Sequence, residues 1–458
     1  MTTSSGLEWS SRLAFLLAAV GCAVGLGNIW LFPHMAGANG GGAFVLVYLA
    51  AIFGLALPVL LAELMIGRRG AAAPPQGLAA VARESGHSGN WRWMGILLGN
   101  FGALMALGFY CVVGGWTMAY AYKAITGQLQ NLDAARSEQI FGEMVSTPGL
   151  VLPWFIAFTA LTVFISSRGL LGGIEKAVKF MMPALFVMLF TMVIYAAVVG
   201  DFGQALRFLF EPDFSQLTST AVLAAFGTAF FSVSVGATNM MAYGSYIDSG
   251  TPLLKSATII VTVDTLVAMS AGLAIFPIVF MAGVEPAGEG GLAFISLPIA
   301  FGMIPGGTVF GTIFFVLLLF AALTSSIGML EPPVSWLRDA MNMSRRNAAL
   351  AAGSVAFILS LLGALSFSLL ADFHPLGAFT IFEGKTIFEL FVYIVTQVLM
   401  PTGGILVTIF AGWIVKRRFS AEELFGGNQP FVYQAWLFVV RFVAPVLLAL
   451  ILWDVATG

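Results

Sequence analysis

Nine stretches of this chain run for 20 residues or more without one Asp, Glu, Lys or Arg: 13–62, 93–122, 144–167, 180–200, 214–247, 265–284, 290–330, 347–371 and 390–415. A helix needs about 20 apolar residues to cross a bilayer core, and in lipid its backbone groups must be satisfied within the segment. The pattern predicts an all-α polytopic membrane protein. Only 9% of the 458 residues are charged, and mean hydropathy is +0.96; soluble domains carry about 25% charged residues. A net charge of −2 offers no basic field for nucleic acid. Cys22 and Cys111 lie in apolar stretches and His34, His87 and His374 are scattered. That distribution argues against a disulfide framework and a thiolate or histidine metal cluster.

The first interval is long enough for two spans, joined by a turn over residues 37–42. With the tail after Pro430, the intervals predict 11 spans, near 12–36, 42–69, 91–124, 149–167, 175–199, 217–246, 253–283, 308–340, 345–370, 386–415 and 430–454. If the N-terminus is cytoplasmic, sixteen Lys/Arg collect on the inner side, among them Arg12, Arg68, Arg69, Arg168, Arg345, Arg346 and Arg441. Only Lys123, Arg136, Arg207 and Lys385 remain outside. The asymmetry predicts a multi-pass plasma (inner) membrane protein with its C-terminus extracellular or periplasmic. No cleavable signal pattern marks Met1–Trp9 or span 1, so the first span is expected to be retained.

Spans 1 and 6 contain breaks. Span 1 carries Gly21-Cys22-Ala23-Val24-Gly25-Leu26-Gly27-Asn28, and span 6 carries Ser232-Val233-Ser234-Val235-Gly236-Ala237-Thr238-Asn239. Close helix packing through Gly21 and Gly25 is one reading. The other is unwound backbone, which survives at membrane depth only where it lines a cavity or binds something. Repetition of the break five helices later favours the second. It predicts a single transporter domain (1–458) of two inverted repeats, 12–199 (helices 1–5) and 217–415 (helices 6–10), with span 11 at 430–454. The site would lie between the halves at the midplane.

Gly25-Leu26-Gly27-Asn28-Ile29-Trp30-Leu31-Phe32-Pro33, followed by Asn39-Gly40-Gly41-Gly42-Ala43-Phe44, resembles the first-helix signature of the neurotransmitter:sodium symporter family. Arg168-Gly169 with Gly173-Ile174-Glu175-Lys176, Phe230-Phe231-Ser232-Val233-Ser234, Tyr243-Gly244-Ser245-Tyr246 and Leu323-Thr324-Ser325-Ser326 extend the resemblance over essentially the whole chain. It implies sodium-coupled amino-acid uptake on a fold shared with the bacterial leucine-transporter branch. It also implies two sodium ions, held by uncharged oxygens, one carboxylate of the protein and the carboxylate of the substrate. The first would use the Ala23 carbonyl, Asn28, Ser232, Asp264 and the substrate carboxylate. The second would use carbonyls of Gly21, Val24 and Ala321 with the hydroxyls of Thr324 and Ser325. Back-bonding of Thr324, Ser325 and Ser326 to the preceding turn is the plainer reading of those hydroxyls.

An ionisable residue inside a span is a functional hypothesis by default. Asp264, flanked by Val263 and Thr265, is therefore expected to supply the negative charge that bound chloride supplies in other branches. It could also carry a proton on the return step, or be a neutral hydrogen-bond donor. Glu63 and Glu331 are the other intramembrane acids. The resemblance sets Glu63 against the broken backbone and Glu331 near Tyr246, while helix-end or packing roles remain open.

The resemblance bounds the substrate pocket by Cys22, Ala23, Leu26, Gly27, Ala106, Tyr110, Phe231, Ser232, Ser234, Ala237, Ser325 and Met329. Gly25 stands where monoamine carriers have an aspartate, which points to an intact amino acid. Ala106 and Ala237 replace bulkier residues of a bacterial relative, so the expected substrate is neutral, apolar, leucine-sized or larger, and aromatic side chains fit. A betaine or ω-amino acid is the alternative solute, and a binding sensor with poor transport the alternative role. No His-Glu-x-x-His or Gly-x-Ser-x-Gly element suggests an enzyme. Gating is expected from Trp9, Tyr110, Phe231, Tyr246 and Asp339. The usual outer Arg–Asp pair is replaced by Leu31 and Val392, and the inner arginine slot is Gly6, with Arg12 reaching Asp339 only in a shifted geometry. Gly173 and Pro183 match a spacing at which span 5 unwinds in relatives; a simple kink at Pro183 is the alternative.

Overall fold

The computed structural model describes residues 8–283 and 292–457. Its chain order begins with α1 (Arg12–Ala23) and α2 (Gly27–Ala38), a broken pair bent by 51°. Then come α3 (Gly42–Gly70), the short amphipathic α4 (Pro74–Glu84), α5 (Gly89–Ile125), α6 (Ala134–Ser146), α7 (Pro148–Ser167) and α8 (Leu170–Val199). The second half contains α9 (Phe202–Phe210), α10 (Ser219–Val233), α11 (Asn239–Gly244), α12 (Leu253–Met281), α13 (Ala293–Gly302) and α14 (Gly307–Met341). It closes with α15 (Arg345–Leu365), α16 (Ile387–Ile414), α17 (Arg417–Phe425) and α18 (Phe431–Ala456). Among the described residues the β contact is an isolated bridge, Gly41 to Pro212.

Among the described residues nine unbroken helices are long and apolar enough to span a membrane, and α1–α2 makes a tenth. The remaining expected span, 217–246, is divided into α10 and α11, each too short to cross alone. Helix starts follow side-chain caps: Ser11 Oγ accepts from Ala14 N at 3.2 Å, and Thr218 Oγ1 from Ala221 N at 3.0 Å. Thr386 and Glu389 form a reciprocal capping box at the start of α16.

Burial separates interior helices from those facing lipid. The apolar window of α14 is 78% buried and that of α8 only 28%. α5, α7, α14 and α15 pack on one another, while α1, α3, α10, α11 and α12 form a second group leaning on α14. Both breaks lie where these groups meet. Span 5 is helical through Gly173 and Pro183, entering α8 through a π-turn over Leu170–Glu175 rather than an unwound stretch.

Candidate cation and substrate site

α1 stops because Val24 turns extended, at φ −66° and ψ 101°. Gly25 N–H then donates to Asn28 Oδ1 at 3.1 Å instead of closing the helical bond to Gly21. The carbonyls released from helix bonding face hydroxyls on other helices. Ser325 Oγ stands 3.4 Å from both Gly21 O and Val24 O, and Ser234 Oγ 3.4 Å from Cys22 O. A Cβ on Gly25 would sit 2.5 Å from Ser325 Oγ and 2.7 Å from the Tyr110 hydroxyl. The slot thus holds no acidic side chain unless its neighbours move.

The second break separates α10 from α11. Ser234, Gly236 and Thr238 have φ of +57°, +86° and +58°, a conformation unfavourable for Ser and Thr and natural for Gly. Gly236 N–H donates to Glu63 Oε1 at 2.7 Å from inside the fold. Among the described residues Glu63 bonds the span 6 backbone, not span 1.

Two oxygen clusters flank the breaks. In one, Ser232 Oγ donates to Asp264 Oδ2 at 2.5 Å and accepts from Asn28 Nδ2 at 2.8 Å, with the Tyr48 hydroxyl 3.2 Å away. Asn28 Nδ2 also reaches the Asp264 carbonyl at 3.1 Å. Asp264 is fully buried and its Oδ1 has no hydrogen-bond partner. A buried carboxylate oxygen without a partner is costly, and a cation would satisfy it. Asn28 turns its amide nitrogen to this cluster while its Oδ1 accepts from Gly25 N–H, so ligation by that oxygen requires the amide to rotate and give up the Gly25 bond.

The other cluster comprises Gly21 O, Val24 O, Ser325 Oγ and the last turns before Thr324. Its 3.4 Å spacings exceed an ordinary O–H···O bond of about 2.7–2.8 Å. Oxygens around a calcium-sized hard cation at about 2.4 Å stand about 3.4 Å apart along an octahedral edge, and sodium is of similar size. Thr324 Oγ1 donates to Phe320 O at 3.0 Å and Ala321 O at 3.1 Å, the back-bonded arrangement. Its oxygen lone pairs can still face a cation. Both clusters therefore have the donor chemistry for sodium.

Between them lies a cavity lined by nine of the twelve expected pocket residues: Ala23, Gly27, Ala106, Tyr110, Phe231, Ser234, Ala237, Ser325 and Met329. Cys22, Leu26 and Ser232 do not line it; Leu26 faces the wider vestibule above. Tyr110 and Phe231 border both spaces and form the partition between them, joined by Phe109. Leu26 N–H points at the Tyr110 hydroxyl, 3.3 Å away. Leu31 and Val392 both face the vestibule, which is apolar where an ion pair would otherwise stand.

A family model described as the sodium:neurotransmitter symporter family matches residues 7–140 and 136–457. The chain belongs to that family. YhdH, an uncharacterized sodium-dependent transporter of Bacillus subtilis, is 34% identical over 98% of both chains. A sodium- and chloride-dependent betaine transporter of Caenorhabditis elegans is 27% identical over 74% of this chain and 64% of its own. Among solved structures, MhsT in complex with L-phenylalanine superposes with a TM-score of 0.88 at 36% identity, over 98% of this chain and all of the other. The protein is a sodium-coupled, multi-pass membrane transporter of the symporter family, not an enzyme.

Just before α1 in this symporter, Trp9 is buried. Its Nε1 donates to Tyr243 O at 3.2 Å and its backbone N–H to Tyr246 O at 3.3 Å. Tyr246 donates to Glu331 Oε1 at 2.7 Å. Arg345 grips both oxygens of the fully buried Glu331, at 2.6 and 2.5 Å, and donates to Ser166 O at 2.9 Å. Asp339 pairs instead with Arg338 at 2.7 Å and accepts from Ala73 N at 2.9 Å. The shifted Arg12–Asp339 geometry is not what the structure shows: Arg12 Nε points to Ser256 Oγ at 3.4 Å, because Ser256 lies beside α1 while Asp339 is held at the end of α14. Gly6 lies outside the described residues. The N-terminal segment is tied down at Ser10, whose N–H and hydroxyl both donate to Glu175, itself paired with Lys179 at 2.6 Å.

Sequence reasoning did not pick out Tyr48, Phe109, Asn239 or the Arg345 pairing. Asn239 lines the cavity and buries its Oδ1 without a partner. Its signal was present as a polar residue directly after a helix break. Arg345 was visible only as a positive charge, since nothing local distinguishes it from Arg346.

Proposed function

We propose that this symporter imports a neutral, apolar L-amino acid, aromatic ones included, together with two sodium ions by alternating access. The observation that carries the coupling is the buried Asp264 with one oxygen unpaired, beside Ser232 and Asn28 at the broken backbone. Its negative charge balances a cation in a low-dielectric site, making chloride unnecessary. Proton loading on Asp264 during the empty return step would give antiport. The first sodium sits against Ala23, Asn28, Ser232 and Asp264, and the second against Gly21, Val24, Ala321, Thr324 and Ser325. The substrate carboxylate faces the Leu26 and Gly27 amides and Tyr110, and its ammonium faces Ser234 and the carbonyls around Phe231.

The two breaks, each in the first helix of its half, support inverted repeats over 12–199 and 217–415 and an 11-span topology with the N-terminus inside and the C-terminus outside. Tyr110, Phe231 and Phe109 close the pocket outward; Trp9, Tyr246, Glu331 and Arg345 close it inward, with Asp339 bracing the end of α14. The phenylalanine in MhsT and the small residues at 106 and 237 support an apolar substrate. Likeness to betaine and taurine carriers keeps a compatible solute as the second reading. The test is thermal stabilisation by each of the twenty amino acids, betaine and taurine, with and without sodium, followed by sodium-driven uptake into chloride-free proteoliposomes. Apolar amino acids should stabilise only with sodium and accumulate. Stabilisation by betaine or taurine instead would refute the substrate class, and binding without accumulation would make the chain a sensor.

A further inference from the structure

The outer surface between α7 and α15 carries a trough of about 810 Å³, well away from the central cavity. Its lining runs along α7 from Ile156 to Arg168 and along α15 from Arg346 to Ile358. Twelve residues of helix at 1.5 Å each span about 18 Å, close to the half-thickness of a bilayer core, about 15 Å. The trough is thus one leaflet deep. Ala160 and Ser354 keep it open, and Gly353 lets Val163 press on the α15 backbone beneath it.

The two ends differ. Ile156 and Ile358, at one end, are large apolar residues left 43% and 56% exposed. At the other stand Arg168 and Arg346, both exposed and neither in an ion pair among the described residues. The Arg168 guanidinium lies over the Phe164 ring at 4.7 Å. The acids nearest in sequence are already paired: Asp339 with Arg338, Glu175 with Lys179, and Glu331, on both oxygens, with Arg345, which turns inward while Arg346 stays at the surface. Two uncompensated guanidiniums above an apolar channel one leaflet long match a phosphodiester carrying an acyl chain.

We propose that this trough binds an anionic phospholipid, its phosphate bridging Arg168 and Arg346 and one acyl chain lying between α7 and α15. Both helices pack on α5 and α14, so the lipid clamps the helix group that carries Ser325 and the Glu331–Arg345 pair. The inner leaflet follows from the proposed orientation; the binding chemistry does not depend on it.

The full-length protein in nanodiscs of phosphatidylcholine with 0 or 20% phosphatidylglycerol tests this, read by melting temperature and by lipid retained after detergent extraction in native mass spectrometry. Wild type should melt higher with phosphatidylglycerol and retain it preferentially. Arg168→Gln with Arg346→Gln should cut retention at least fivefold, and Ala160→Phe, which fills the channel but keeps both arginines, should also reduce it. Soluble glycerophosphoglycerol and inorganic phosphate should give no shift. Undiminished retention in the double glutamine variant would overturn the proposal, as would equal stabilisation by either lipid or by free phosphate. A dimer that dissociates in Ala160→Phe would also overturn it, since a second copy would then fill the trough. Sodium-driven uptake by the same variants is a separate readout, so failure of the lipid site and failure of the proposed transport remain distinguishable.

Discussion

Replacing Asp264 with Asn keeps the side-chain shape, removes the charge and puts an NH2 donor in place of one carboxylate oxygen. In the structure Oδ2 already accepts from Ser232 at 2.5 Å, a bond the amide oxygen can keep, so the change acts at the unpaired Oδ1. Unit charges about 4 Å apart attract by about 4 kcal/mol at an effective dielectric of 20. Burial of the lone carboxylate in the sodium-free state takes back part of this, leaving about 2–3 kcal/mol. That converts to a 30- to 150-fold rise in half-saturating sodium, at about 1.4 kcal/mol per decade. The assay is substrate uptake into proteoliposomes over a sodium titration, in chloride and in gluconate. We expect the wild type to be indifferent to the anion and D264N to show that rise in gluconate, recovering in part where chloride restores the missing charge. A half-saturation within threefold of wild type in gluconate would refute the charge-balance argument.

Arg345→Ala leaves Glu331 buried and unpaired, a loss of about 3–5 kcal/mol for a broken buried pair. It should lower the melting temperature by several degrees, whereas Arg345→Met combined with Glu331→Gln should recover most of it; equal losses would deny the pairing its weight. Ser325→Ala removes the hydroxyl set between the Gly21 and Val24 carbonyls. It should raise half-saturating sodium by about 10- to 150-fold, on the scale of a lost charge-assisted contact of about 1.5–3 kcal/mol, with binding restored at high sodium. Asp248, in the loop between α11 and α12, is held below the usual carboxylate range chiefly by the Thr251 hydroxyl at 2.6 Å, with the Gly250 amide and the charge of Arg68 adding to it. Because the folded value is depressed, its stabilisation is present above the unfolded value of about 3.9 and is lost as pH falls through the folded one. Melting curves of wild type and Asp248→Asn should therefore differ at pH 7 and converge under acid.

The spans and their breaks were legible because each depends on local composition. A run such as 93–122 has no stable place in water, and glycines at 21, 25 and 27 weaken one helix whatever surrounds it. The site residues at the breaks could be named for the same reason, with a known family signature to number them. Partnership is a different matter. Asp264 and Ser232 are 32 residues apart, and Ser325 and Gly21 are 304 apart; only packing brings them within reach. That Glu63 serves the backbone of span 6, that Tyr48 joins the Ser232 cluster, and that Arg12 lies against Ser256 and not Asp339 all depend on which helix faces lie together. Arg345 and Arg346 show the division most plainly. Adjacent and chemically identical, they read alike as topology charges, yet helical rotation of about 100° per residue turns one onto a buried glutamate and leaves the other at the mouth of a lipid-facing trough.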